Sequence, residues 1–218
     1  MDRRVKTCFE QVFAGESPQI TEINLKFINL GEAGMTQMTR VLPAYSGLKS
    51  LRLWKTKLGI EGAKRLGAVL PVLPQLLVLS IEDNDIRAEG VAYIAQGLPY
   101  VPLLKELYLH INKLGPEGVS ALGGSIAPKT NLEVLTIDEN QITDQGLLIL
   151  LKALAGSMEV LTTLGLGFNM LSDVSAGEIR KVLDDFSELK KLTLSGNQIT
   201  AKCEAQLTKA APKLHITF

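Results

Sequence analysis

Nine residues, LKELYLHIN from Leu104 to Asn112, recur along this chain in the form LxxLxLxxN. The phrase reappears as LLVLSIEDN from Leu76, LEVLTIDEN from Leu132, LTTLGLGFN from Leu161 and LKKLTLSGN from Leu189. Two looser copies, LKSLRLWKT from Leu48 and ITEINLKFI from Ile20, precede them. The seven starts are separated by 28, 28, 28, 28, 29 and 28 residues. A fixed period of this length restricts the chain to stacked units, because one unit is too small to bury its own apolar face. Stacked units share one continuous core, so the 218 residues need no second domain.

Each copy has two halves. The first alternates apolar residues at strand spacing, such as Leu51 with Leu53 or Leu135 with Ile137. The second opens two residues after the Asn position, at Leu30, Leu58, Ile86, Leu114, Ile142, Leu171 or Ile199. A small residue follows four positions later: Gly34, Gly62, Gly90, Gly118, Gly146, Ser175 or Cys203. Apolar anchors four and eight further on, such as Leu66 and Leu70, share one helical face. Pro43, Pro71, Pro99 and Pro128 are expected to stop the first four helices. Helices are ~10 Å across and paired strands ~4.8 Å apart, so the stack must curve with its strands inside.

These residues resemble the leucine-rich repeat, and the 28-residue period with a full helix is most similar to its ribonuclease-inhibitor type. The resemblance implies a right-handed α/β solenoid, a horseshoe arc with parallel strands concave and helices convex. It covers Ile20 to the C-terminus. The expected organisation is an N-terminal capping helix and linker over 1–19, seven repeats over 20–210, and a terminal half-repeat strand over 211–218. Val5, Cys8, Phe9, Val12 and Phe13 supply the apolar face of that first helix, which either covers the first repeat or docks a partner. The last strand follows Leu189 so closely that a shortened last helix and an open sheet edge are expected, with end-to-end contact as one use. The Asn column (Asn84, Asn112, Asn140, Asn169, Asn197) satisfies backbone groups at the strand ends, and Ile28 and Thr56 depart from it. The first two turns are therefore expected to be less regular.

Lys+Arg and Asp+Glu are both 23, so bulk charge gives no reason to bind nucleic acid or an anionic membrane. No apolar run reaches ~18 residues, and the charged start MDRRVKTCFE lacks a signal peptide's apolar stretch. Cys8 and Cys203 lie at opposite ends of the stack, beyond disulfide reach. With neither a cysteine-rich cap nor an N-x-S/T sequon, the expected location is cytoplasmic.

The candidate site is the inner wall, where residues between the apolar anchors face outward from the core. One column reads Asn24, Arg52, Ser80, Tyr108, Thr136, Gly165, Thr193. The next reads Lys26, Trp54, Glu82, His110, Asp138, Gly167, Ser195, and the third Phe27, Lys55, Asp83, Ile111, Glu139, Phe168, Gly196. Lys26, Arg52 and Lys55 surround the only tryptophan, Trp54. Glu82, Asp83, Glu106, Asp138 and Glu139 surround Tyr108 and His110, and the later rungs are neutral apart from Phe168 and Lys191. Exposed aromatic anchors and polarised charge are what a protein-binding surface needs. The alternative is a set of solvated charges cancelling between rungs. Glu82, His110 and Asp138 place an imidazole between two carboxylates, in principle a metal or general-base arrangement and otherwise an ion-paired histidine. No phosphate loop or calcium loop occurs, and no cofactor is expected.

The reading is a non-catalytic interaction module that takes a protein partner on its concave face, within a larger intracellular or cytoskeletal assembly. A regulator of a small GTPase, which would use Arg52 or Arg87 against transition-state charge, is the main alternative. An enzyme inhibitor using the same concave wall is a further one.

Overall fold

The computed structural model describes residues 19–127 and 131–218, together with Arg3, Lys6, Thr7 and Glu10. Eight three-residue strands repeat in chain order: β1 Glu22–Asn24, β2 Ser50–Arg52, β3 Val78–Ser80, β4 Glu106–Tyr108, β5 Val134–Thr136, β6 Thr163–Gly165, β7 Lys191–Thr193 and β8 His215–Thr217. Seven helices alternate with them: α1 Gly31–Val41, α2 Gly59–Val69, α3 Arg87–Gly97, α4 Gly115–Ile126, α5 Asp144–Leu154, α6 Asp173–Val182 and α7 Ala201–Ala210. The strands form one parallel sheet in the order β1 to β8, each pairing with its successor. Asn24, Arg52, Ser80, Tyr108, Thr136, Gly165, Thr193 and Thr217 stand in line across it. The chain is an open α/β solenoid.

Its core lies between the sheet and the helices, where Leu51, Leu79, Leu107 and Leu135 are fully buried beside Leu66, Ile94, Leu122 and Leu150. Burying each such side chain contributes about 1.5–3 kcal/mol, and every repeat adds the same set. The small residue near each helix start makes room for the leucine or isoleucine that opens the turn. A Cβ on Gly62 would stand 3.1 Å from the Leu58 side chain, and one on Gly118 would stand 2.9 Å from Val91 of the preceding helix.

The asparagine column binds each repeat to the one before. Asn112 Oδ1 accepts from the Asn84 N–H at 3.0 Å, while its Nδ2 donates to the Ile81 and Leu109 carbonyls at 2.9 Å. Asn140, Asn169 and Asn197 continue the series. The first two turns prove more regular than their sequences suggest. Phe27 and Lys55 share the left-handed backbone of Asp83, Ile111 and Glu139. Thr56 replaces the amide by donating its hydroxyl to Leu53 O at 2.8 Å, and its carbonyl accepts from Leu30 N at 3.0 Å.

The first six of these helices begin in two ways. In α1 to α4 the first residue has positive φ, supplied by Gly31, Gly59, Arg87 and Gly115. In α5 and α6 an extended Thr143 or Ser172 caps the helix through its side chain. Asp144 then accepts from the Ser172 N–H at 2.9 Å, its hydroxyl at 2.6 Å, and the Ser175 hydroxyl. Asp173 does the same for Thr200.

Pro43, Pro71 and Pro99 lie inside short 3-10 turns that extend the helices, two residues after each α-helix ends. Pro128 lies outside the described residues. The last helix is not shortened: α7 has 10 residues, and what its repeat lacks is the 3-10 turn found after α6. The apolar residues expected on the N-terminal helix are likewise outside the described set, in which Lys6 and Glu10 form an ion pair at 3.3 Å. Among the described residues no helix is long and apolar enough to cross a membrane.

Candidate protein-binding face

Two residues past each strand the side chain again faces the inner wall, and in the first repeats this column gathers aromatic groups. The Trp54 ring lies 4.9 Å from that of Phe27 and 5.9 Å, edge-on, from that of His110. Lys26 Nζ sits over the indole at 5.4 Å from its centre. Trp54 therefore spans from its own rung to the one two further on. Its indole N–H is buried and has no acceptor among the described residues.

The rung that Trp54 passes over belongs to Glu82, which is only 4% exposed and accepts from the Ser80 hydroxyl. This corrects the expectation of Glu82 as an open wall charge: its side chain is buried. Trp54 and Tyr108, expected to be exposed, are both half-buried. Tyr108 donates to Glu106 at 2.9 Å, and burial, then that bond, then the charge of Glu106 push its hydroxyl up to about 12.

His110 is not ion-paired: among the described residues no carboxylate lies within salt-bridge reach of it, and its Nδ1 stands 3.3 Å from Thr136 Oγ1. Asp138 turns instead toward the next rung, where Gly165 and Gly167 leave the space it fills. Its Oδ1 accepts from the Gly167 N–H at 2.7 Å, and a Cβ on Gly165 would run into Oδ2. Burial raises the Asp138 carboxyl above the usual carboxylate range despite that bond. Glu82, His110 and Asp138 therefore do not converge. Among the described residues no group of three His, Cys, Asp or Glu side chains is placed to hold a metal.

The third column is not strand. Phe27, Lys55, Asp83, Ile111, Glu139, Phe168 and Gly196 all have φ between 51° and 69° and form the turn at the rim. Left-handed backbone costs a non-glycine residue ~1 kcal/mol or more, so the turn imposes it on six side chains. Phe168, 61% exposed, lies against the Gly196 main chain. It is far along the sheet from Trp54, four rungs away.

The charges divide as sequence reasoning left open. Lys55 pairs with Asp83 at 3.2 Å and Arg52 with Glu22 at 3.5 Å, so these two pairs cancel between rungs. Arg87 is tied to Asp85 at 2.9 Å. Neither arginine that a GTPase regulator would use stands free. Glu106, Asp138 and Glu139 have no cation within 4 Å among the described residues. Of the expected site residues, Lys26, Trp54 and His110 are thus brought together, while Tyr108 pairs with Glu106 on the rung of His110. Phe27, missing from that set, belongs with them, and an aromatic heading a column with the charged Lys55 and Asp83 was the available signal.

A family model described as leucine-rich repeat matches residues 73–95, 102–123 and 129–150, so the chain carries leucine-rich repeats in its central rungs. Among solved structures, the actin-binding site 2 of leiomodin-1 is similar over 71% of this chain and 88% of its own, at 17% identity and a TM-score of 0.54. A leucine-rich-repeat protein of Leptospira interrogans is similar over 96% of this chain and 56% of its own, at 20% identity and a TM-score of 0.55. Likeness at these identities is likeness of fold. No curated protein matches the chain in sequence.

Proposed function

We propose that this protein is a non-catalytic interaction module that grips a protein partner on the inner wall of its solenoid. The observation that carries this is the aromatic cluster of Phe27, Trp54 and His110, joined by Lys26, on a face of short strands. A ring 62% exposed beside a half-buried tryptophan supplies apolar area that no internal packing uses. The wall is an open surface, and the one hydroxyl beside His110, that of Thr136 at 3.3 Å, sits in no enclosed pocket, which favours binding over catalysis. The named actin-binding fragment of leiomodin-1 shows what one protein of similar fold does, and a cytoskeletal partner in the cytoplasm is one form of this proposal. The same proposal treats residues 1–19 as a cap, 20–210 as seven repeats of the ribonuclease-inhibitor type and 211–218 as a closing half-repeat. End-to-end contact through β8 remains part of it, supported by the half-buried Leu214 and Ile216 at that end.

The test is affinity purification from the native source, comparing wild type with Trp54→Ala/Tyr108→Ala. Both rings are half-buried, so the double change lowers the melting temperature, and retention of native circular dichroism has to be checked first. Loss of the recovered protein from the folded variant supports the inner wall. Undiminished recovery moves the interface to the helices or to an end.

A further inference from the structure

We propose that the segment held on this wall is cationic: an arginine- or lysine-bearing stretch of the partner, seated against Trp54 and Tyr108 and neutralised by Glu106, Asp138 and Glu139. This rests on the proposed function and specifies the chemistry of the partner.

The argument is one of charge. The basic groups of the first rungs are engaged within the chain: Arg52 by Glu22, Lys55 by Asp83, and Lys26 over the Trp54 ring. Rungs four and five differ. Glu106 holds only the neutral Tyr108 hydroxyl, Asp138 only backbone N–H groups, those of Gly167 and of Asp138 itself, and Glu139 is exposed at the rim. The Tyr108 hydroxyl feels the positive charge of Arg52, itself paired with Glu22, and against it the negative charge of the buried Glu82. His110 and Lys191 are the basic groups whose charge reaches Asp138, and neither forms an ion pair with it.

A protein laid over these carboxylates takes them out of water, and a carboxylate buried without a cation is strongly disfavoured. His110 and Lys191 act on Asp138 only from a distance and no cation stands within 4 Å of these carboxylates among the described residues, so the partner supplies the one in contact. The aromatic faces point the same way. A guanidinium can stack on an indole or phenol ring while its N–H groups reach carboxylates on either side. An acidic or purely apolar segment would leave the same three carboxylates uncompensated, so it is selected against.

The second observation is Trp54 itself. Its buried N–H lacks an acceptor, and a buried donor left so is disfavoured by about 1–3 kcal/mol. A bound segment offering a main-chain carbonyl would relieve this if the ring turns. Because Trp54 is the only tryptophan, its emission reports that movement directly.

The experiment pans a random nonapeptide library on the full chain and titrates the recovered peptides while following Trp54 emission. Alongside, the synthetic peptide Gly-Gly-Arg-Gly-Arg-Gly-Gly is compared with its citrulline counterpart, which keeps the shape and removes the charge. The expected result is enrichment of arginine or lysine among peptides that change Trp54 emission. The arginine peptide should bind at least about tenfold tighter than the citrulline peptide, and this advantage should collapse in Glu106→Gln/Asp138→Asn. The variant's fold is checked by circular dichroism, and Glu139→Gln alone, at the exposed rim, should give a smaller loss in the same direction. Equal binding of the arginine and citrulline peptides, or an advantage that survives in the folded variants, overturns the inference. Recovered peptides that move Trp54 emission but carry no positive charge overturn it while leaving the proposed function standing. A library that yields nothing acting at Trp54 overturns both.

Discussion

At the scale of single residues, the molecule is held by polar side chains that reach across one repeat. Asn112 is fully buried, and its amide serves the Asn84 N–H and the Ile81 carbonyl, both in the preceding repeat. Asn112→Ala strips both of that partner, although Leu109 O keeps the Asn140 amide. With each orphaned group disfavoured by about 1–3 kcal/mol, the substitution should destabilise the protein by about 3 kcal/mol in urea titration. Tyr108 provides a second reading at this scale. Its hydroxyl is pushed up to about 12 by burial first and by Glu106 second, from an ordinary value near 10. The folded state therefore keeps this proton more tightly than the unfolded chain. The associated stability is complete below about pH 10 and is lost as pH rises toward 12. Ultraviolet titration should show a late transition that Tyr108→Phe removes, and Glu106→Gln should bring that transition down. A Tyr108 transition that Glu106→Gln leaves in place would contradict the assignment.

At the scale of elements, helix spacing and helix starts decide how closely the outer layer packs. α2 and α3 meet backbone to backbone: a Cβ on Gly67 would run into the Tyr93 carbonyl, and one on Gly97 into the Gly67 carbonyl. Main chain cannot move aside as a side-chain tip can. Gly67→Ala should therefore lower stability by about 1–3 kcal/mol, whereas Gly124→Ala, with open space around it, should be neutral or slightly stabilising in the same melt. In the later repeats Asp144 and Asp173 tie successive helix starts. Burial raises the Asp144 carboxyl, but the hydrogen bonds from Ser172 and Ser175 outweigh it and hold it below the usual value. Backbone and side-chain bonds from Thr200 lower Asp173. Both contributions are present above about pH 4 and lost as pH falls through the depressed values. Asp144→Ala should cost about 1 kcal/mol at pH 7, comparable to a lost helix cap, and the deficit should narrow in melts taken near pH 3. An unchanged deficit at low pH would show that the carboxylate charge is not what matters.

At the scale of the whole molecule, the stack was legible because each repeat must carry its own Leu and Asn positions to bury its face and bind its predecessor. The line of Ser80, Tyr108 and Thr136 across the sheet follows from that spacing alone. The burial of Glu82 was not legible. Strand alternation gives the face a side chain takes, but not whether a ring from the previous rung reaches over it. The Asp138 position left a trace in Gly165 and Gly167, two vacant places in adjacent columns that a longer neighbour fills. The left-handed rim left one in Gly196, a glycine ending a column otherwise too bulky to suggest positive φ. The wall's role as the gripping surface is the central claim, and hydroxyl-radical footprinting of the protein with its recovered partner tests it most directly. Oxidation of Phe27, Trp54 and Tyr108 should fall on complex formation, while Tyr100, 59% exposed in the turn after α3, and Tyr93 on that helix keep their reactivity. Protection of Tyr100 and Tyr93, with Trp54 and Phe27 oxidised as in the free protein, would contradict the account.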